Sequence, residues 1–481
     1  MVYYSTRNKS ISLSFAEAAL AGLAGDGGLF IPQAIPPYRE AVKNSLGTMS
    51  FLDIAFETIK PYVAGDIPDP ALEEICAGAF PFTAPLVPVS VGSSAAVPLV
   101  LELFHGPTAA FKDFGARFMA RSFAWLRRGE DRPLHILVAT SGDTGGAVAD
   151  GFYNVEGISV TVLYPKGRVT ELQEKQIAGL GGNISALAVE GSFDDCQALV
   201  KAAFGDALLR EKLALSSANS INIARLIPQA VYYAAAAGKA LAGRADGDGE
   251  ATPRKTGTAG SAGPTDPAGL ASLPGSAEPV GFKGGPVLFC VPSGNLGNLT
   301  AGLYAMTMGA PISGFIAATN VNRTVPEYLE SGDYKPRLSR ATSSNAMDVG
   351  DPSNFERMAA HWSYKELRRM IRGAWVSDDE TRGTIAGVFR DHGYYLDPHG
   401  AVGWTAVQKL AGFAGSPGGA AEEPVAVLAT AHPAKFFETV ETLTGPVPVP
   451  GTIRRALERK PRAVTVPNDL GALRDFLLGN V

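Results

Sequence analysis

The stretch LELFHGPTAAFKDFG, residues 101–115, decides how this chain is read, and Lys112 is its centre. An apolar run, Val97 to Leu103 with Glu102 intervening, stops at the break Gly106-Pro107. Behind Lys112, the residues Phe114, Phe118, Met119, Phe123 and Leu126 recur at three- and four-residue steps. That period predicts a helix starting at Asp113, with Asp113 as its N-cap. Lys112 then sits at the helix mouth, where the positive end of the dipole disfavours an ammonium ion. A lysine less willing to carry charge is a better nucleophile and a better proton carrier. The plain alternative is a solvated surface lysine, since most lysines are exposed. The surrounding sequence has to choose between them.

Downstream, the chain alternates apolar strands, Gly-rich loops and helical patterns. HILVAT (135–140) reads as a strand, SGDTGG (141–146) as a loop, and a helix opens from Ala147. Ile158–Tyr164 and Ile184–Val189 are further strands, separated by a helix that starts at the capping-box pattern Thr170-Glu171-Leu172-Gln173. A helix follows from Ser192. The same rhythm returns with the strand VLFCV (287–291), the loop PSGNLGN (292–298), a helix over Leu299–Met308, a strand over Ile312–Thr319 and a last strand over Val425–Thr430. Such alternation predicts an α/β fold with mostly parallel, open twisted sheets and helices on both faces. Ligands of such sheets bind at the carboxyl ends of the strands, where these loops lie.

The divisions expected along the chain are an amino-terminal accessory segment (1–96), a first α/β part (97–242), an insert (243–285), a second α/β part (286–447) and a carboxy-terminal helical extension (448–481). Phe51–Val63 repeats apolar residues at helical spacing and is expected to break at Pro61. The insert is rich in Gly, Ala, Ser, Thr, Pro and Asp and has almost no large apolar residue before Phe282. It has too little apolar surface to offset its ordering entropy and reads as a surface excursion.

Composition narrows the function. Of 481 residues, 46% are hydrophobic and 19% charged, the profile of an ordinary globular protein. A net charge of −5, with no dense Lys/Arg tract, argues against nucleic acid as a partner. The opening MVYYSTRNKS lacks the apolar core of a secretion signal, and no run approaches the roughly 18 apolar residues of a membrane span. Cys76, Cys196 and Cys290 lie far apart, which fits a reducing cytoplasm and neither a disulfide framework nor a zinc site. No metal site is expected, because no His, Cys, Asp or Glu group has ligand spacing; Asp348 and Asp351 read as loop caps.

Chemistry gathers on the two Gly-rich loops. Glycine lets successive backbone N–H groups point inward, and such a nest at a helix N-terminus suits a phosphate. Neither loop carries the Gly-Lys-Ser/Thr of an NTPase or the six-residue glycine pattern of a dinucleotide fold. A phosphate nest, a helix-mouth lysine and converging loops together suggest pyridoxal phosphate. That cofactor needs a lysine for its Schiff base, a phosphate anchor and a partner for its ring nitrogen.

The residues then reach a family. HGPTAAFKDFG (105–115), TSGDTGGAVA (140–149), LYPKGRVTELQEKQ (163–176), SANSINIARL (217–226), VPSGNLGNLTAG (291–302), FIAATNVNRTVPEYL (315–329) and SNAMDVGDPSN (344–354) resemble the bacterial and fungal threonine synthases. These are fold type II pyridoxal-phosphate enzymes related to tryptophan synthase β. GLAGDGGLFIP (22–32) belongs to the same match, which runs nearly the whole length outside the insert.

The resemblance implies roles. Lys112 carries the Schiff base and later moves protons. Gly294, Asn295, Leu296, Gly297 and Asn298 cradle the cofactor phosphate, and Thr430 meets the ring nitrogen. Asp143 stands where relatives in the wider class carry an Asn beside the phenolic oxygen, which a carboxylate would repel. Ser141 and Thr144 hold the substrate carboxylate. Asn219, Ser220 and Arg225 hold the substrate phosphate, a task suited to the planar fork of Arg. The implied reaction is O-phosphohomoserine plus water to threonine and phosphate by a monomer or homodimer. Rival readings are a lyase giving 2-oxobutanoate, a threonine or serine dehydratase, or an inactive binding protein. His105 reads equally as a substrate neighbour or a turn residue, and His432 as scaffold. His392 and His399 read as structural, Lys166 and Arg168 as solvated, and Cys290 as a core residue.

Overall fold

The central strands of the two large sheets are short, nearly unbroken apolar runs, which is what burial on both faces requires. A computed structural model describes residues 1–89, 99–246, 284–411 and 423–479. Most of the insert, and residues 412–422, lie outside the described residues.

Three sheets form among the described residues. A small antiparallel one joins Tyr3–Ser5 to Ser12–Leu13 and Phe30–Pro32. A six-stranded sheet runs in the order Ile371–Trp375, Ile312–Thr319, Val287–Pro292, Val425–Ala429, Leu99–Glu102, Leu86–Pro88. All its pairings are parallel except the last. A five-stranded, wholly parallel sheet runs in the order Ala463–Pro467, Ile184–Glu190, Ile158–Pro165, Leu134–Ala139, Ala214–Ser216.

The two-residue period of the strands sorts their side chains into three cores. Phe289 and Val291, Leu99 and Leu101, and Ile136 and Val138 face one central core between the large sheets. It also takes Phe114, Phe118, Phe123, Tyr232, Tyr233 and Leu299 from intervening helices. The alternate residues Leu288, Cys290, Val100 and Val427 face a second core, covered by Val402, Val407 and Ile385. Leu137, Leu163 and Leu187 face a third, covered by Leu199, Leu209 and Leu477. Helices therefore line both faces of each large sheet, as the alternation predicts.

Four details differ from the sequence reading. Leu99–Glu102 precedes the first sheet in the chain but pairs in the second, beside Val425–Ala429. The carboxy-terminal extension is not wholly helical, since Ala463–Pro467 closes the edge of the five-stranded sheet. The helix Phe51–Val63 runs through Pro61, held by the buried side chains of Ile59, Tyr62 and Val63. Tertiary packing there outweighs the lost backbone bond. Finally, the helices at the site start at Lys112, Asp143 and Gly297, ahead of the first periodic residue in each case.

Candidate functional site

Parallel strands leave their carboxyl ends on one edge, and backbone hydrogen bonds continue into the loops beyond, where Ala110 and Ala431 form an isolated antiparallel bridge. The Leu103 N–H donates to the Ala429 carbonyl at 2.9 Å, the Phe111 N–H to the Thr430 carbonyl at 2.9 Å, and the His432 N–H to the Ala109 carbonyl at 3.0 Å. Residues 103–111 thus run beside 429–432, and Thr430 is held against the residue preceding Lys112. Lys112 is the first residue of the helix Lys112–Leu126, so the expected start at Asp113 is one residue late. Asp113 does not cap this helix. Its carboxylate accepts from the Thr108 N–H (2.9 Å) and hydroxyl (2.6 Å), which fixes the turn before the lysine. A Cβ on Gly106 would lie 2.3 Å from that carboxylate, so only glycine fits there. Burial, followed by the charge of Asp150, pushes the Asp113 carboxyl up to about 7.

Asp143 occupies the first turn of the helix Asp143–Phe152. The Lys112 ammonium lies 3.8 Å from its Oδ2. The Lys435 ammonium lies 2.9 Å from its Oδ1, and the Gln173 amide donates to the same oxygen at 3.2 Å. Burial alone would raise the Asp143 carboxyl. The ammonium groups of Lys435 and Lys112, with a smaller contribution from His399, outweigh it and hold the group well below the usual carboxylate range. The Lys112 ammonium is lowered by burial and by the positive charges of Lys435 and Arg225, against the opposing pull of Asp143. Its side chain keeps 15% exposure, so the amine remains reachable. Arg225 is buried, donates from Nη1 to the Ala218 carbonyl at 2.7 Å and has no partner at Nε. Burial lowers it to about 10, so it stays charged at neutral pH.

Thr140 organises the SGDTG loop. Its hydroxyl accepts from the N–H groups of Gly142 (2.9 Å) and Gly145 (2.8 Å). Ser141 is left exposed and Thr144 half-buried on the same turn. Gly142 has φ +144°, and a Cβ there would come within 2.4 Å of Gln173, so the residue must be glycine.

The second loop ends at Leu296, which takes the left-handed conformation (φ +59°) at the N-cap of the helix Gly297–Met308. No side chain caps that helix, so its first N–H groups are free for an anion. A Cβ on Gly294 would lie 2.6 Å from the Ala346 carbonyl, which packs the loop against residues 346–347. The Asn298 Oδ1 accepts from both the Tyr232 (2.6 Å) and Tyr233 (2.8 Å) hydroxyls. Its Nδ2 is buried with no partner. The Asn295 Nδ2 donates to the Ser220 hydroxyl at 2.7 Å, tying the segment of Asn219, Ser220 and Arg225 to the phosphate loop.

Sequence reading missed Lys435, because a lysine after a histidine-proline pair carries no signal of burial. It is 3% exposed and also donates to the Thr108 carbonyl at 2.9 Å and to Gln176 at 3.3 Å. The other residues singled out in the sequence make the following contacts. The His432 Nδ1 accepts from the Ala434 N–H as a local cap. His105 pairs with Glu102 at 2.8 Å. Lys166 meets Glu190 at the surface, and Cys290 is a buried strand residue. His399 is buried against Asp397, and its Nε2 has no partner. Asp348 accepts from Thr342, Asn320 and Asn322. Among the described residues, no group of three or more His, Cys, Asp and Glu could hold a metal, and no helix is long and apolar enough to cross a membrane.

The side chains present suit pyridoxal phosphate. The reachable Lys112 amine would suit its aldehyde, and the uncapped helix behind a left-handed Leu296, with the orphaned Asn298 Nδ2, would suit its phosphate.

Comparison with known proteins agrees. A family model described as threonine synthase N terminus matches residues 2–80. One for pyridoxal-phosphate dependent enzymes matches 82–240, and one for the threonine synthase C-terminal region matches 400–477. The threonine synthase of Haemophilus influenzae is 39% identical over 484 residues, covering 99% of this chain and 100% of the relative. That of Escherichia coli K12 is 37% identical, with 100% of each chain covered. The crystal structure of threonine synthase from Escherichia coli superposes with a TM-score of 0.81 at 36% identity over 100% of both chains. The pyridoxal-phosphate-bound threonine synthase from Brucella melitensis gives 0.82 at 33% identity, covering 99% of this chain and 98% of that one.

Proposed function

The chain belongs to the threonine synthase family of pyridoxal-phosphate enzymes, and from that premise we propose how its residues share the work. The reaction is the conversion of O-phosphohomoserine and water to threonine and phosphate, the last step of threonine biosynthesis. Bound at Lys112, the cofactor supplies an electron sink for charge that develops on the substrate carbons.

Lys112 would hold the cofactor and, as a free amine, would take the proton from Cα. A second proton is lost from Cβ as the γ-phosphate leaves, water adds its oxygen at Cβ, and Lys112 would return protons at Cγ and Cα. A base that works repeatedly must be neutral for part of the time, which burial and the charges of Lys435 and Arg225 favour. Gly294 to Asn298 hold the cofactor phosphate with backbone N–H groups and the Asn298 amide. Thr430 offers a hydroxyl to the ring nitrogen. Asp143 would stand beside the phenolic oxygen. Its charge is matched by Lys435, which answers the repulsion expected between two anions. Ser141 and Thr144 bind the substrate carboxylate. Asn219, Ser220 and Arg225 bind the substrate phosphate and keep hold of it as it departs. The free Arg225 Nε, on a buried and charged guanidinium, fits that task.

The observation that carries this reading is the pairing of 103–111 with 429–432, which sets Lys112 one residue beyond the Phe111 N–H that bonds the Thr430 carbonyl, with Asp143 of the first glycine loop 3.8 Å from the Lys112 ammonium. We place the enzyme in the cytoplasm as a monomer or homodimer; its three buried free thiols suit a reducing compartment. The test is to supply purified enzyme with O-phosphohomoserine and follow phosphate, threonine and 2-oxobutanoate together. Threonine and phosphate in equal amounts are expected. Phosphate with 2-oxobutanoate and no threonine would overturn the reading.

A further inference from the structure

Two lysines, one buried and one half-buried, compete for one carboxylate at this site. Lys435 lies 2.9 Å from Asp143 Oδ1 and Lys112 lies 3.8 Å from Oδ2. The nearer lysine is almost wholly sealed, at 1% side-chain exposure, and the farther one keeps 15%. Lys435 has two further acceptors, the Thr108 carbonyl and Gln176 Oε1, which fix its ammonium group. Lys112 has no hydrogen bond to Asp143. The arrangement is asymmetric: one lysine is fixed by three acceptors, and the other is left beside the pair.

We infer that Lys435 is a positioning residue, which claims the Asp143 carboxylate for itself and so leaves the Lys112 amine without a fixed counter-ion. The inference rests on the proposed role of Lys112 as the cofactor-bearing amine. Its logic is charge balance in a poorly solvated site. Asp143 with Lys112 as its only cation would hold that lysine as ammonium, which can neither attack a carbonyl nor accept a proton. Asp143 already matched by Lys435 presents a nearly neutral pair, and the lysine beside it can lose its proton. The groups that face Lys112 are Asp143 from its helix, Lys435 from the turn Pro433–Phe436, Arg225 from the helix Ile223–Leu226, and Asp113 from its own helix. Those that face Asp143 are the two lysines, Gln173 and His399. Removing Lys435 therefore takes away a positive charge that opposes protonation of Lys112 and leaves the carboxylate that favours it.

The test titrates Lys112 in the full-length chain, freed of cofactor by dialysis. Trace labelling with an amine-directed acylating reagent between pH 6 and 10, read by mass spectrometry on the Lys112 peptide, gives its protonation profile. Lys435→Gln should move that profile up by one unit or more, which is about a tenfold fall in labelling at a pH below the midpoint. Lys435→Arg should stay near wild type, because the charge is kept. Asp143→Asn should move the profile in the opposite direction. The rate at which each chain captures added pyridoxal phosphate should follow the same order. A folded Lys435→Gln variant with the wild-type profile would overturn the inference. If that variant does not fold, an Asp143→Asn profile that is unmoved or raised overturns it instead. The labelling needs no substrate and no turnover, so its result is independent of whether the enzyme makes threonine.

Discussion

Asn298 offers a prediction whose size can be worked from its surroundings. Its Oδ1 accepts two tyrosine hydroxyls, at 2.6 Å from Tyr232 and 2.8 Å from Tyr233, so the amide cannot flip without losing both. The Nδ2 is thereby fixed as a buried donor with no partner, at the second position of the helix behind the phosphate loop. If it donates to the cofactor phosphate, that charge-assisted bond contributes about 1.5–3 kcal/mol. Asn298→Ala should then weaken cofactor binding about 10- to 150-fold. It should also destabilise the cofactor-free chain, because Tyr233 loses its hydroxyl partner, at a cost of about 1–3 kcal/mol. Asn298→Asp separates the two effects. It keeps an acceptor for both hydroxyls, so the cofactor-free chain should unfold closer to wild type. It puts an oxygen where the donor was, so cofactor affinity should fall at least as far as in the alanine variant. The assays are titration of the cofactor-free chain with pyridoxal phosphate, followed by absorbance, and thermal unfolding without cofactor. An Asn298→Asp chain that binds the cofactor as tightly as wild type would refute the donor role and leave Asn298 as an anchor for the tyrosines.

Other expectations can be checked on the same protein. Lys112→Ala should abolish turnover and the visible band of the lysine-bound cofactor; normal turnover would remove Lys112 from the chemistry. Arg225→Ala should weaken use of O-phosphohomoserine far more than it weakens cofactor binding, and unchanged kinetics would exclude Arg225 from the substrate site. Asp113 carries a pH signature. Burial raises its carboxyl from about 4 in the unfolded chain to about 7, so the folded state holds the proton more tightly. Its stabilising contribution is complete below pH 4 and is lost as pH rises to about 7. Asp113→Asn should flatten that part of the stability–pH curve, measured as the thermal midpoint of the cofactor-free chain, and parallel curves would contradict the assignment. Replacing residues 247–283 with a few glycines should leave activity near wild type. Asp246 is anchored to Lys239 and to the Leu86 N–H, and the Gly285 N–H bonds to Ala240 on the same helix end, so the two attachment points are close. A large loss of activity would mean that the segment takes part in function.

The alternation of strands and helices, and the cofactor class, were legible in the chain alone. Val287–Pro292 and Val425–Ala429 are unbroken apolar runs because parallel strands are buried on both faces, and that need is written residue by residue. Glycines 142 and 294 follow the same rule, since each marks a place where a Cβ has no room. Helix starts at the site were misread for one shared reason. Lys112, Asp143 and Gly297 are first-turn residues chosen for chemistry or close approach, so the apolar period begins only after them. Tertiary structure alone decided the rest. Burial of Lys435 and the raised carboxyl of Asp113 depend on neighbours such as Thr108, Gln176 and Asp150, hundreds of residues away or on another element. The placement of Leu99–Glu102 in the sheet built by the later half depends on a register set at Val425–Ala429. A sequence records what each residue needs from its own stretch of backbone. Which charges meet in a dry site is a property of the packed chain, because Coulomb energies depend on distance and solvent exclusion, and neither exists until the sheets close.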